Sequence, residues 1–332
     1  MIHALLRRLG AGTAWTLAAG LWPALSAANA CQPVNYSCEA QSSDVVARAG
    51  AATVMLRFPG ASQCTGTLLN NARGDGRPFI LTARHCAIDG DLDALAGGVE
   101  ILYGHELGCD GRPVGTPVST FGAIHRAVYQ DAWLIEALDP PPASVEAYFA
   151  GFNATDQFGT DYFGVHHGNG HAKQFVEQRV ESGNLLYLVS GTLAWVASTW
   201  HTGLLRGSTP FGSSGSALFD TQGRVFGVLS GGAICAGDAK GNDYQQLSAA
   251  WTGDGDAGSS LGPWLDPDQS GAKTISGRSA DGDSTPAAPA GEPAADSEAG
   301  GGGGGALSTL MLGGLLAALG ARRRSPKTPG RS

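Results

Sequence analysis

The chain has 332 residues, 42% hydrophobic and 15% charged, with 51 glycines, three methionines and a net charge of −8. That length admits one large folded domain or two small ones. An acidic balance with no basic patch between the two ends argues against a nucleic-acid partner, and low charge with many short β-rich runs points to an all-β protein with long loops.

In chain order, Arg7 and Arg8 precede a mostly apolar span from Leu9 to Leu25, and Ala28-Asn29-Ala30 fits a small-x-small cleavage site. This is the order of a secretory signal over residues 1–30. Cleavage would leave Cys31 at or near the mature N-terminus. The six cysteines are Cys31, Cys38, Cys64, Cys86, Cys109 and Cys235. An even count behind an export signal implies disulfides, and the absence of any Cys-x-x-Cys pair gives a zinc site little support. Six cysteines allow fifteen pairings, and spacing does not choose among them.

Strands are predicted over 52–58, closed by Pro59-Gly60, over 64–69, ended by Asn70-Asn71, and over 77–82, which runs into Ala83-Arg84-His85-Cys86. A histidine at the end of an apolar strand is a place where a general base can be held rigidly. Asp131 precedes another strand, 132–138, bounded by Asp139 and three prolines. An aspartate at the start of a buried strand can be desolvated while it accepts a bond from histidine. Asp139, Asp156 and Asp161 lie in turn-like surroundings, and Asp131 is favoured over them.

Further strands are expected at 184–189, 192–197, 217–219 and 225–229. Between them lies Gly212-Ser213-Ser214-Gly215-Ser216, directly before a short apolar run. A nucleophilic serine needs a tight turn that exposes its hydroxyl and frees nearby N–H groups for an oxyanion. Glycine permits such a turn because it tolerates backbone angles closed to other residues. By residue type alone, Ser213, Ser214 and Ser216 are rivals.

Residues 279–299 are Pro, Ala, Ser and acidic residues, a composition that reads as linker. Six glycines follow (Gly300 to Gly305), then an apolar run from Ala306 to Ala321 and Arg322-Arg323-Arg324. As a helix that run rises about 24 Å, short of a hydrocarbon core of about 30 Å. The segment 300–332 resembles the C-terminal sorting tails of Gram-negative bacteria, which a rhomboid-type intramembrane protease removes. A plain tail anchor is the alternative. With the tail removed, the expected location is the cell surface or the medium, after transient membrane anchoring.

Thr82-Ala83-Arg84-His85-Cys86, then Asp131, then Gly212-Ser213-Ser214-Gly215-Ser216 follow the His, Asp, Ser order of the chymotrypsin-like serine proteases. With Cys64-Thr-Gly-Thr-Leu, His166-His167, and Trp251-Thr-Gly leading to Pro263-Trp264-Leu-Asp-Pro267, residues 31–278 are similar to the bacterial lysyl endopeptidases. The resemblance implies two antiparallel β-barrels with the active site in the cleft between them. It implies a catalytic triad of His85, Asp131 and Ser214, and an oxyanion hole from the N–H groups of Gly212 and Ser214. It implies the disulfides Cys31–Cys235, Cys38–Cys109 and Cys64–Cys86, no cofactor, protein or peptide substrates, and a monomer. A catalytically inactive protease-fold binding protein is the reading from another class; the presence of all three triad residue types weighs against it.

Four departures from related enzymes bear on specificity and activation. Ser208 stands where trypsin-like enzymes carry an aspartate, Ser230 where lysyl endopeptidases carry a histidine, and Asn242 where they carry an aspartate, with Asp243 one residue later. Cleavage after basic residues, lysine first, is therefore expected with Asp243 as counter-charge, on the premise that a Gly-rich loop lets it reach the site. Ser213 replaces the aspartate that pairs with a newly freed N-terminus in animal digestive members, so activation by that ion pair is expected to be absent. His166, His167 and His171 have spacing that could suggest a metal, but the intervening glycines oppose a helix, and no metal is expected.

Overall fold

A computed structural model describes residues 31–60, 63–87, 90–189, 194–232, 234–236, 238 and 240–282. The expected signal at 1–30, most of the expected linker and the segment 300–332 lie outside the described residues. Among those described, no helix is long and apolar enough to cross a membrane.

The N-terminal half builds one antiparallel sheet from seven strands: β1 (Thr53–Arg57), β2 (Gln63–Leu69), β3 (Phe79–Ala83), β4 (Glu100–Tyr103), β5 (Val118–Phe121), β6 (Ala123–Tyr129) and β7 (Ala132–Ala137). Their order is β5-β4-β1-β2-β3-β7-β6, so the sheet curls as a half-barrel with β5 and β6 at its two edges. Gly122 separates those edges at a positive φ of 83°, a turn that a side chain would disfavour. The runs of 53–56, 64–69 and 79–83 are buried along both faces of their strands, which is why they read as continuous apolar segments rather than alternating ones. Trp133 fills the centre of this half, stacked on Phe58 at 5.1 Å, with its indole N–H donating to His125 Nδ1 at 2.9 Å.

The C-terminal half is a closed barrel of β8 (Asp161–His166), β9 (Gln174–Val189), β10 (Ala194–Arg206), β11 (Ala217–Phe219), β12 (Val225–Gly232) and β13 (Asn242–Gln246). The order β11-β8-β9-β10-β13-β12 returns to β11 through a β11–β12 pairing, so no edge is left among these six. Its interior is filled by Tyr162, Val180, Trp200, Leu218, Phe226, Leu229 and Tyr244, with Trp200 and Phe226 stacked at 4.7 Å. Small barrels close on their own side chains in this way, and each such aromatic stabilises the fold by about 2–3 kcal/mol through burial.

The all-β expectation thus holds, with one barrel closed and the other a half-barrel. Strand pairing also runs a little past the expected end of the body. Arg278–Ser279 pairs with Tyr148–Phe149, and the Ala280 N–H donates to the Ala147 carbonyl at 2.9 Å. Cystines join Cys31 to Cys235, Cys38 to Cys109 and Cys64 to Cys86.

Candidate active site

His85 lies two residues past the end of β3, in a single 3₁₀ turn spanning Arg84–Cys86. Asp131 lies in the tight turn between β6 and β7, just after Gln130, whose φ is positive at 51°. Because β3 and β7 are paired with Ala83 opposite Ala132, the two strand ends bring His85 and Asp131 side by side. The Asp131 carboxylate accepts His85 Nδ1–H at 2.9 Å through Oδ2 and the His85 backbone N–H at 2.9 Å through Oδ1. Asp131 is 3% exposed, so its charge is met by these donors and not by water. Two bonds to one histidine fix both the ring's orientation and the tautomer that leaves Nε2 free to accept a proton.

The serine turn approaches from the other half. Gly212 has φ of +91° and Gly215 of +83°, so the small residues noted in the sequence are required by the backbone. The Thr65 N–H, on β2, donates to the Ser214 carbonyl at 2.9 Å. A Cβ on Gly215 would lie 2.3 Å from the Thr65 carbonyl and 2.4 Å from Thr82 Oγ1, so the turn is pressed against β2 and β3. Cys86 Sγ, adjacent to His85, sits 3.9 Å from the Ser214 carbonyl oxygen. Ser214 is partly exposed, whereas Ser213 and Ser216 are buried. The Ser213 hydroxyl is engaged by His166 Nδ1 at 2.9 Å. The N–H groups of Gly212 and Ser214 donate to no protein acceptor among the described residues.

The four residues expected to contact substrate are split by the fold. Ser208 is bridged to Cys235, and its neighbour Thr209 bonds Asn242, with Asn242 Nδ2 donating to Thr209 Oγ1 at 3.0 Å. Asn242 Nδ2 also reaches Gln178 Oε1 at 3.3 Å. Ser230 is 3% exposed, with a hydroxyl that meets no partner among the described residues. Asp243 does not join this group. Asn242 and Asp243 lie within strand β13 and not in a Gly-rich loop, so their side chains take opposite faces. The Asp243 carboxylate turns to His201, its register partner on β10, Oδ1 to Nδ1 at 3.1 Å. Burial raises its pKa and the His201 contact opposes that rise. The proposed counter-charge is therefore corrected: it is spent on His201.

His166 and His167 are fully buried, and burial lowers their pKa to about 4 and about 3 respectively. They sit at the end of β8 as neutral packing and hydrogen-bonding groups. Sequence reasoning gave Thr65, Asn169 and His201 no role, and named His166 only within a family motif and a candidate metal spacing. The Ser213 departure was the one available signal, since a serine in that place needs a different partner.

A closed six-strand barrel beside a half-barrel is a chymotrypsin-like fold. The model of the lysyl endopeptidase C-terminal domain family matches residues 25–246, and the chain belongs to that family. The lysyl endopeptidase of Pseudomonas aeruginosa is 30% identical over 199 residues, 56% of this chain and 41% of the relative. The chain thus spans about two fifths of that relative's length. Among solved structures, the active form of the Rv3671c protease of M. tuberculosis is similar at a TM-score of 0.43 and 16% identity, over 73% of this chain and 89% of that one. An inactivated protease paralogue of the scabies mite has a TM-score of 0.46 and 11% identity, over 66% and 92%.

Proposed function

We propose that this chain is a secreted serine endopeptidase. Ser214 Oγ attacks the peptide carbonyl while His85 Nε2 takes its proton and later returns it to the leaving amine; Asp131 holds the imidazole and stabilises its cation. The N–H groups of Gly212 and Ser214 receive the oxyanion, a term of about 3–4 kcal/mol per donor. An acyl-enzyme on Ser214 is then hydrolysed by water through the same histidine, with no cofactor required. The observation that carries the reading is the buried Asp131 carboxylate bonded to His85, beside a serine turn anchored on the adjoining strand β2.

Cleavage after basic residues, lysine first, is the finer part of the reading, and its support is family membership. Charge placement adds nothing to it, because Asp243 faces His201. A substrate ammonium would meet hydroxyls and the Asn242 amide oxygen, which stabilise a cation less than a carboxylate does. The preference for lysine over leucine should then be small, on the order of tenfold.

Export through the signal at 1–30, removal of 300–332 by an intramembrane protease and action as a monomer at the surface of a Gram-negative bacterium complete the proposal. The central test is labelling by a fluorophosphonate. The full chain should label and hydrolyse peptides. Ser214→Ala should lose both, with turnover down on the order of 10⁶-fold and an unchanged melting curve. No labelling of the wild-type protein would point to an inactive binding scaffold.

A further inference from the structure

We infer that Ser213, Thr65 and the loop His166–Gly170 form a fixed latch that keeps the oxyanion-hole donors facing the cleft, so no freed N-terminus is needed to assemble the site. The inference rests on the reading of Ser214 as nucleophile and asks what holds its turn. A peptide unit is planar and trans, so its C=O and N–H point in opposite directions, and no cis bond is present among the described residues. The Phe211 carbonyl accepts the Asn169 N–H at 2.5 Å. With that carbonyl turned toward the loop, the Gly212 N–H of the same peptide unit is turned away from it, without a protein acceptor among the described residues.

Three further bonds keep that peptide from flipping. The Gly212 carbonyl accepts Thr65 Oγ1–H at 2.8 Å. The same hydroxyl accepts the His167 N–H at 3.0 Å, so Thr65 joins the serine turn to the loop. Ser213 Oγ lies 2.9 Å from His166 Nδ1. That nitrogen accepts the Gly168 N–H at 3.1 Å, so it carries a lone pair and the Ser213 hydroxyl is the donor.

Steric fit leaves little alternative. A Cβ on Gly168 would stand 2.6 Å from Pro210 Cγ and 3.1 Å from Ser213 Oγ, and one on Gly212 would stand 2.9 Å from the His167 carbonyl. Asn169 itself is held at φ of +55° between two glycines, a conformation of the kind that persists where surrounding contacts over-determine it. The whole latch is made of neutral side chains and backbone within the folded body. Nothing in it is created by cutting the chain.

The full chain, a fluorophosphonate, a matched peptide substrate and a peptide aldehyde suffice for the test. Labelling that Ser214→Ala removes establishes the nucleophile; failure to label defeats that reading and this inference together. Once labelling is established, acetylating the α-amino group should leave its rate within about twofold. Loss on acetylation overturns the latch and leaves the nucleophile standing. Ser213→Ala and Thr65→Val should each lower kcat about ten- to a hundredfold at unchanged KM. Affinity for the aldehyde, whose oxygen occupies the hole, should fall by the same factor. Full kcat in both folded variants, or a rise in KM alone, overturns the inference. Should Ser213→Ala fail to fold, Thr65→Val, close to isosteric, carries the same readout.

Discussion

His166 shows how a single buried side chain ties stability to pH. Burial depresses its pKa to about 4 from an ordinary value of 6.5. A depressed folded-state pKa means that the unfolded chain binds the proton first, so the stabilisation is complete above pH 6.5 and is lost as pH falls toward 4. The loss from this residue is about 3 kcal/mol, and His167, depressed to about 3 by burial, acts in the same direction. Urea unfolding at pH 7, 5.5 and 4 should show the decline. His166→Gln should flatten it while lowering stability at pH 7, and an identical slope in the variant would rule out this origin. At Asp243 the expected result is an absence of effect on selectivity. Asp243→Asn should leave the ratio of kcat/KM for Lys and Leu substrates unchanged, because the carboxylate serves His201; a fall in that ratio would return it to the substrate site. The His85–Asp131 contact was legible in the sequence because each residue borders an apolar run, whereas Ser214 was chosen from its neighbours in the glycine turn by family resemblance alone. The Asp243–His201 and Ser213–His166 contacts were not, since each joins residues more than 40 positions apart and depends on pairing that the barrel alone creates.

The strand ends and tight turns carry the site, and they are intolerant of change for reasons of space. Gly215 is the clearest instance. Its φ of +83° is strained for any other residue, and an added Cβ would overlap the Thr65 carbonyl and Thr82 Oγ1. Gly215→Ala should cost about 3 kcal/mol or more, combining backbone strain with overpacking. Thermal and urea denaturation will measure it, and a loss below about 1 kcal/mol would mean that the turn yields easily. Strands such as β3 and β7 were readable from the sequence because both their faces are buried and their residues run apolar. β4, β5 and β8 were not singled out, being short or mixed in polarity. β13 was mistaken for loop because the glycines before it masked a five-residue strand whose polar side chains are buried. The consequence was specific: a strand sends Asn242 and Asp243 to opposite faces, where a loop would have let them share one.

At the scale of the molecule, the sequence reading of two β-rich halves around one cleft was accessible through family motifs; periodicity alone reaches only an all-β fold. The proposed processing of the ends has a direct check. Intact-mass analysis of protein recovered from the medium or cell surface should place the C-terminus within Gly300 to Gly305. Mature protein extracted from membranes with Arg322 to Arg324 attached would favour a permanent anchor instead. The cystine connectivity carries a consequence for the proposed export. Of the three bridges, only Cys64–Cys86 joins neighbours in cysteine order. Cys38–Cys109 encloses it, and Cys31–Cys235 spans 204 positions and encloses both. A polypeptide emerging N-terminus first presents Cys31 and Cys38 long before Cys235. Oxidation in order of appearance would therefore couple Cys31 to Cys38 and leave Cys109 to pair with Cys235. Correct maturation then depends on thiol–disulfide exchange, which trades early partners for late ones, and the first cysteine of the chain must wait for the last.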